Sequence, residues 1–182
     1  MVFVKVVELQ SKAQISKVFS RPTYESKFIN NSILNFEEFN LLLKNINPSN
    51  IEVITSDGKF FFQSSNIYTN PTFIVSNTKD IKPIFKDLIN VFKEKYPILK
   101  NCKRNDVHVY AGYSNQSATF GIHTDNSYTI ILQCEGKSKW VLPKDFEVEL
   151  SCGDIIWIPK GTKHGCFPVT KRISLSFAFW DN

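Results

Sequence analysis

Two histidines and one aspartate in the C-terminal half of the chain constrain its fold most strongly. His123 and Asp125 are two residues apart, and His164 follows much later. Residues i and i+2 of a β-strand point to the same side of a sheet, so a strand through residues 123–125 would direct a nitrogen and an oxygen to one point. His164 can join them from a distant strand only if the sheet closes on itself. Two imidazoles and one carboxylate form the facial triad that binds non-haem iron and leaves coordination positions open.

Two turns and a short strand precede His164 and fit such a closed sheet. Gly153 and Asp154 form a tight-turn pair, and residues 159–161 predict a second turn. Between them lie residues 155–158, an apolar run rich in β-branched side chains that is typical of a strand. An HxD pair alone is weak support for a metal site, because short motifs often arise by chance. The ordered pattern around the pair makes the prediction more specific.

Several ordered segments resemble the JmjC and cupin-like oxygenases that use iron(II) and 2-oxoglutarate. Within that family the pattern is most similar to the cupin-like protein hydroxylases, which include the ribosomal oxygenases and the asparaginyl hydroxylase of hypoxia signalling. A weaker similarity reaches back to residues 35–39 and 66–68. The strongly similar segments are residues 107–110, 120–125, 130–133, 136–140, 153–159 and 161–164.

The resemblance implies a specific chemistry for the triad. His123, Asp125 and His164 would be the iron(II) ligands, 2-oxoglutarate would be the co-substrate, and the chain would be a dioxygenase that hydroxylates its substrate. Related halogenases replace the carboxylate ligand with a small residue so that chloride can bind iron. The presence of Asp125 therefore favours hydroxylation over halogenation.

One position departs from the pattern of that family. Its members usually carry Lys or Arg two residues after the glycine that opens the corresponding strand, and this cation pairs with the distal carboxylate of 2-oxoglutarate. Here the glycine is Gly136 and the position is Ser138. A hydroxyl can donate one hydrogen bond to a carboxylate but cannot neutralise its charge. Another residue must then supply the cation, or 2-oxoglutarate is not the co-substrate.

Arg172 is the first candidate for that cation. Residues 172–180 alternate in polarity, with apolar side chains at the odd positions and Arg172, Ser174, Ser176 and Ala178 at the even ones. If the apolar set packs outward, Arg172 and Ser174 point into the barrel, as an Arg-x-Ser pair does in other branches of these oxygenases. The alternative is that Arg172 lies in solvent at a strand edge beside Lys171.

Three further residues are candidates for contacts with the same carboxylate. Lys139 is the second candidate cation, although strand alternation places it opposite Ser138. Tyr68 falls where the asparaginyl hydroxylase type has a tyrosine that contacts the carboxylate, and Thr129 has the same strand parity as Asp125. Tyrosine and threonine in strands are most often packing residues, so both remain open.

The rest of the chain predicts a single domain over residues 1–182. The hydrophobic fraction of 42% and the 16 phenylalanines support a sizeable core. We expect an α+β, mainly β, fold with a double-stranded β-helix core of the cupin or jelly-roll type. Residues 1–104 would form an N-terminal cap with helices and strands, and residues 105–182 the barrel. We expect a cytoplasmic protein without a membrane span, since the start reads as a strand and not as a signal peptide.

The N-terminal half predicts a few separate elements. We expect a strand over residues 1–8, a helix or loop over 11–19, a helix over 35–44 capped by Asn35, a hairpin over 51–63 and an amphipathic helix near 79–95. The last of these has its lysines outward, which accounts for much of the basic clustering behind the net charge of +5. We therefore do not expect nucleic-acid binding, since no aromatic and basic RNA- or DNA-reading motif accompanies the charge.

The remaining histidine and the cysteines leave alternatives open. The four cysteines have no spacing typical of a zinc site, although Cys152, His164 and Cys166 could form one in place of the iron triad. Cys134 reads as a small core residue. His108 precedes Tyr110 by two residues on a predicted strand, so it either lines the mouth of the pocket or is an ordinary hydrogen-bonded strand histidine.

Two other functions stay open beside the oxygenase. One is a cupin-type metalloenzyme that does not use 2-oxoglutarate, which the serine at position 138 favours. The other is a barrel that has lost its chemistry and binds a peptide or a small acid. The expected partners of the oxygenase are dioxygen and an amino acid, a peptide or protein side chain, or a small metabolite, since fold does not identify a substrate. The oligomeric state stays open.

Overall fold

The computed structural model describes residues 20–63 and 65–181, and all strand pairs in this part of the chain are antiparallel. The strands form an eight-stranded sheet in the order β1-β10-β7-β12-β5-β4-β2-β3 and a four-stranded sheet in the order β6-β11-β8-β9. The strands are β1 Thr23–Glu25, β2 Ile51–Thr55, β3 Gly58–Phe61, β4 Thr72–Val75, β5 Arg104–Gly112, β6 Ile122–Thr124, β7 Tyr128–Glu135, β8 Ser138–Leu142, β9 Phe146–Leu150, β10 Ile155–Ile158, β11 Lys163–Pro168 and β12 Arg172–Trp180.

Two α-helices, α1 (Phe36–Asn45) and α2 (Pro83–Lys95), lie within the described residues, together with short 3-10 helices at Pro48–Asn50 and Pro97–Asn101. The prediction of a mainly β fold with helices ahead of a double-stranded β-helix core is confirmed. Strands β2 to β4, from the expected cap, continue the same sheet as β5. The strand expected over residues 1–8 and the segment over 11–19 lie outside the described residues.

The eight-stranded sheet has one face against the helices and the other against the smaller sheet. Strand β12 shows the division, because the apolar residues 173, 175, 177 and 179 are fully buried in the main hydrophobic core. The ring of Phe177 meets that of Phe92 from α2 edge-on at 5.0 Å between centroids. The even-numbered residues of β12 therefore face the space between the two sheets, because successive strand residues point to opposite faces.

Both helices begin where local chemistry favours a start. The side chain of Asn35 accepts a hydrogen bond from the backbone of Glu38 at 2.9 Å, and the Glu38 carboxylate accepts one from the backbone N–H of Asn35 at 3.1 Å. This capping box satisfies two amide donors that the first turn leaves unpaired. Helix α2 begins later than expected, at Pro83, because proline suits the first helical position. No described helix is long and apolar enough to span a membrane.

Gly153 links the turn before β10 to the chain that follows β1. Its φ angle is +90°, and a Cβ atom there would lie 2.0 Å from the carbonyl oxygen of Ile29. Its own carbonyl accepts a hydrogen bond from the backbone N–H of Ile29 at 3.1 Å. Gly161 provides a contrast, because its φ is +75° but a Cβ would meet nothing within 4 Å.

We predict that Gly153→Ala lowers the free energy of unfolding by at least about 3 kcal/mol, because it adds a backbone clash to the conformational strain. Gly161→Ala carries the strain alone and should cost about 1 kcal/mol. Urea unfolding of both variants measures the difference. If both variants lost the same free energy of unfolding, the backbone at Ile29 would have moved away from the added Cβ atom at no energetic cost.

Candidate metal centre

The pairing of β6 with β11 brings the two histidines of the triad together. His123 and His164 are direct cross-strand partners in this antiparallel pair, so both side chains point to the same face. Asp125 follows β6, and its carbonyl accepts a hydrogen bond from Gly161 at 2.9 Å. The ligand atoms of all three side chains lie within 4.8 Å of one another. The Nε2 atoms of His123 and His164 are each 3.5 Å from a different oxygen of the Asp125 carboxylate.

Each imidazole is oriented by a backbone carbonyl on its far side. Nδ1 of His123 lies 3.1 Å from the carbonyl oxygen of Gly121, and Nδ1 of His164 lies 2.8 Å from that of Thr162. A carbonyl only accepts, so each Nδ1 carries the proton and donates it. Each Nε2 then presents its lone pair toward the centre of the triad, which is the tautomer that a metal ligand needs.

The carboxylate of Asp125 is held in its ionised form. The closeness of the His164 imidazole lowers the pKa of the Asp125 carboxyl, burial opposes this, and the neighbouring His123 adds to the lowering. The three side chains thus offer two neutral nitrogens and one anionic oxygen. This donor set fits a divalent transition metal and leaves half of an octahedral coordination sphere open.

A narrow cavity of about 60 Å³ opens beside the triad, between the two sheets. The smaller sheet contributes Trp140, Cys166 and the two histidines to its lining, and β12 of the larger sheet contributes Arg172, Ser174 and Ser176. A barrel interior that holds one small ligand was the expectation from sequence, and this cavity fits it.

Arg172 lies in this cavity and not in solvent. Its relative exposure is 3%, so the alternative of a solvent-exposed strand edge is wrong. Its Nε atom is buried without a hydrogen-bond partner, and its guanidinium forms no ion pair within the described residues. A buried cation is costly unless it is paired, so the cavity is electrostatically suited to an anion.

Ser138 and Ser174 were both candidate contacts, but each hydroxyl already donates its hydrogen to another side chain. The Ser138 hydroxyl donates to Oε1 of Gln133 at 2.7 Å and accepts from the indole of Trp140 at 3.0 Å. The Ser174 hydroxyl donates to the same Gln133 oxygen at 2.9 Å. Ser174 lines the cavity, so it presents oxygen lone pairs to it and no donor. Ser138 is not among the cavity-lining residues.

The other candidates fall in different places. Thr129 lines the cavity, with its hydroxyl 3.2 Å from that of Ser127. Lys139 points to the outer surface of the smaller sheet, where it pairs with Glu147 at 2.6 Å, because strand alternation turns it away from its neighbour at position 138. Tyr68 is also away from the cavity. It lines a separate surface depression, and its hydroxyl accepts a hydrogen bond from the backbone of Gln63 at 2.9 Å.

Tyr110 is a cavity residue that sequence reasoning did not select. It is the cross-strand neighbour of Ser174, and its ring lines the cavity together with Arg172. Burial raises the pKa of its hydroxyl, and the negative charges of Asp125 and Glu52 raise it further while Arg172 lowers it. The hydroxyl therefore keeps its proton and can donate it. Its even-numbered position on β5 was the signal in the sequence, but only the pairing with β12 reveals which face that is.

The alternative zinc site does not form. Within the described residues, the triad is the one group of three histidine, cysteine or acidic side chains placed to hold a metal. The Cys152 thiol instead donates to the carbonyl oxygen of Cys134 at 2.9 Å. Cys166 lines the cavity, and burial raises the pKa of its thiol above the ordinary value. It is therefore a protonated wall residue and a poor metal ligand.

Comparison with solved structures finds the same fold. A structure of YcfD, a ribosomal oxygenase from Escherichia coli, aligns with a TM-score of 0.72 and 17% sequence identity over 96% of this chain and 52% of the other. Structures of that protein with cobalt and succinic acid, and with cobalt and 2-oxoglutarate, align with TM-scores of 0.68 and 0.66. In both cases the identity is 18%, and the alignment covers 87% of this chain and 48% of the other.

The present chain thus spans about half the length of these solved relatives. No family model matches the sequence, and no curated protein does. The low identity limits the likeness to the fold. At that level the resemblance to the JmjC and cupin-like oxygenases is confirmed, and this chain shares its architecture with a ribosomal oxygenase.

Proposed function

We propose that the protein is an iron(II) and 2-oxoglutarate-dependent oxygenase that hydroxylates an amino acid, a peptide or protein side chain, or a small metabolite. The observation that carries the proposal is the unpaired, buried guanidinium of Arg172 in the same cavity as an open histidine and carboxylate triad. A cation and a candidate metal site that line the same narrow cavity suit a ligand with a metal-binding end and a distant carboxylate. The 2-oxoglutarate molecule has both.

The residues take separate roles in this proposal. His123, Asp125 and His164 would hold iron(II), because their nitrogens and oxygen already converge. The guanidinium of Arg172 and the hydroxyl of Tyr110 would bind the distal carboxylate, since both are donors that line the cavity. When bound, iron(II) and 2-oxoglutarate supply an oxidising chemistry that consumes dioxygen, releases succinate and carbon dioxide, and hydroxylates the substrate. The chain itself binds, orients and excludes water.

The main argument against 2-oxoglutarate as the co-substrate is the lack of a cation at position 138, and Arg172 on β12 offers a cation in its place. Without a Lys or Arg at position 138, a cupin-type enzyme with another co-substrate was an open alternative. Arg172 supplies a charge within the same cavity, and an arginine binds a carboxylate by a bidentate fork that a serine cannot match. A barrel that only binds ligands is disfavoured, because it would not need an ionised carboxylate between two correctly protonated imidazoles.

The thiols of the chain fit action in the cytoplasm. Cys102, Cys134, Cys152 and Cys166 are free cysteines, which is the usual state in a reducing compartment.

We predict that Asp125→Ala and His123→Ala each weaken binding of cobalt(II) by more than about 100-fold, since loss of even an outer-sphere partner costs 10-fold to 100-fold. Anaerobic calorimetric titration with cobalt(II) measures the affinity. Glu149→Gln is the matched control, because this surface carboxylate of the same sheet pairs only with Lys137. Unchanged metal binding in the triad variants would favour the binding-module alternative.

We predict that Arg172→Ala raises the apparent KM for 2-oxoglutarate at least about tenfold, because a charge-assisted contact contributes about 1.5 to 3 kcal/mol. Tyr110→Phe should raise it by a smaller factor. The assay follows iron-dependent conversion of 2-oxoglutarate to succinate, with or without a coupled substrate. Lys139→Ala is the control, because its ammonium lies outside the cavity and pairs with Glu147. An Arg172→Ala enzyme with an unaltered 2-oxoglutarate dependence would remove Arg172 from the site.

Removing the charge of Arg172 should have different effects on stability in the absence and in the presence of 2-oxoglutarate. Arg172→Met should leave the ligand-free protein as stable as the wild type or more stable, because it removes a buried unpaired cation. For the wild type with zinc(II), 2-oxoglutarate at 100 times its Kd should add about 2.7 kcal/mol, or roughly 5 to 10 °C in Tm. Arg172→Met should lose most of this shift. Thermal unfolding with and without 2-oxoglutarate tests both parts, and a wild-type protein that 2-oxoglutarate fails to stabilise would contradict the proposal.

A further inference from the structure

A second histidine and carboxylate pair lies on the larger sheet, on the strand face that lines the cavity. Asp106 and His108 are on β5 and share the strand face of Tyr110, which lines the cavity. The cross-strand partner of His108 is Ser176, which also lines the cavity. The triad comes from the smaller sheet and this pair comes from the larger one. The two sets therefore lie on opposite walls of the barrel.

Asp106 holds His108 in a fixed orientation. Its Oδ2 atom lies 3.1 Å from Nε2 of His108 and accepts a hydrogen bond from the backbone of Asn77 at 2.9 Å. Its Oδ1 atom accepts one from the backbone of Val107 at 2.8 Å. Burial raises the pKa of Asp106, but these hydrogen bonds outweigh burial and lower it, so the group is a carboxylate. Nε2 of His108 therefore carries a proton and donates it to Asp106.

This arrangement leaves one nitrogen of His108 unused. Nδ1 has no hydrogen-bond partner within residues 20–63 and 65–181. The side chain of His108 is 24% exposed, whereas that of Asp106 is 15% exposed. His108 is not itself among the residues that line the cavity, but its cross-strand partner Ser176 is, so its Nδ1 is a free and accessible acceptor beside the cavity.

The position of His108 along the wall separates it from the proposed co-substrate anchor. Arg172 is opposite Gly112, and His108 is opposite Ser176, four residues further along β12. At about 3.3 Å per residue this separates the two positions by roughly 13 Å. His108 thus lies toward the end of this wall away from Arg172, which leaves that end of the wall for a substrate.

We propose that His108 is a substrate-recognition residue positioned by Asp106, and that the substrate carries an N–H or O–H donor next to the carbon that reacts. This inference rests on the proposed function and names the class of its substrate. The lone pair at Nδ1 accepts the donor, and the fixed imidazole then orients the neighbouring carbon toward the metal. A purely hydrocarbon substrate would cover Nδ1 without pairing it, which is unfavourable. Amino acids, amides and alcohols satisfy the requirement, and alkyl chains do not.

The chain is well suited to a direct test, because it has only three histidines. In 15N-histidine-labelled protein with zinc(II) and 2-oxoglutarate, NMR reports the proton position on every imidazole. We expect the Nε2 signals of His123 and His164 to become those of metal-bound nitrogen. His108 should stay in the single tautomer with the proton on Nε2. Asp106→Asn should give a mixture of His108 tautomers, while Asp80→Asn, a surface carboxylate paired with Lys86, should leave His108 unchanged.

Acetamide and acetone test whether Nδ1 of His108 prefers a ligand that carries a hydrogen-bond donor. They match in size and carbonyl group, but only acetamide has N–H donors. We expect acetamide to shift the Nδ1 signal of His108 at a several-fold lower concentration than acetone, and Asp106→Asn to remove most of that preference. Equal responses to the two probes, or no response to acetamide, would overturn the inference.

The outcomes also separate this inference from the proposed function. If zinc(II) and 2-oxoglutarate leave the signals of His123 and His164 unmoved, the oxygenase proposal fails. If those signals move as expected and His108 ignores acetamide, only the recognition role fails. A His108 signal that shows Nδ1 already protonated and hydrogen-bonded in the free protein would also count against the recognition role.

Discussion

The direct cross-strand pairing of His123 with His164 is the constraint on which the site depends. Opposed residues of an antiparallel pair point to the same face, so the register of β6 against β11 alone brings the two imidazoles together. A shift of one residue would turn one imidazole to the opposite face. Asp125 then needs only to follow β6, held through its carbonyl by Gly161. All three candidate ligands thus come from the smaller sheet and its adjoining loop, and the opposite wall of the cavity comes from the larger sheet.

In this chain a buried cation of the cavity lies on the larger sheet, whereas the family resemblance implies one on the smaller sheet. Ser138 is fully buried and bonded to both Gln133 and Trp140, so a lysine or arginine at that position would disrupt a saturated polar network. Arg172 reaches the same cavity from β12. The serine at one position and the arginine at the other are therefore linked, because a single narrow cavity accommodates one buried cation more readily than two.

The sequence predicted those features that local patterns determine. The alternation of residues 172–180 correctly indicated which face of β12 is apolar, and the Asn35 cap and the turn at Gly58 correctly located a helix and a hairpin. Features that depend on the alignment of separate strands were not accessible in this way. Tyr110 was missed because its role follows from the pairing of β5 with β12. Tyr68 was placed by resemblance alone, yet its hydroxyl is bonded within its own loop. Ser174 was correctly oriented, but its donor is taken by a glutamine far away in the sequence.

Hydrogen-bond saturation distinguishes the groups that hold this cavity together from those that face a ligand. Gln133 uses its oxygen and its nitrogen, and Asp106 uses both oxygens, so neither has capacity left for a bound molecule. Arg172 and His108 line or border the same space, and each has a nitrogen without a partner in the described residues. An unpaired buried donor such as Nε of Arg172 lowers stability, so a fold retains it where a ligand completes it. Arg172 and His108 face the same side of the larger sheet four strand positions apart, which gives the proposed co-substrate and substrate separate places on one wall.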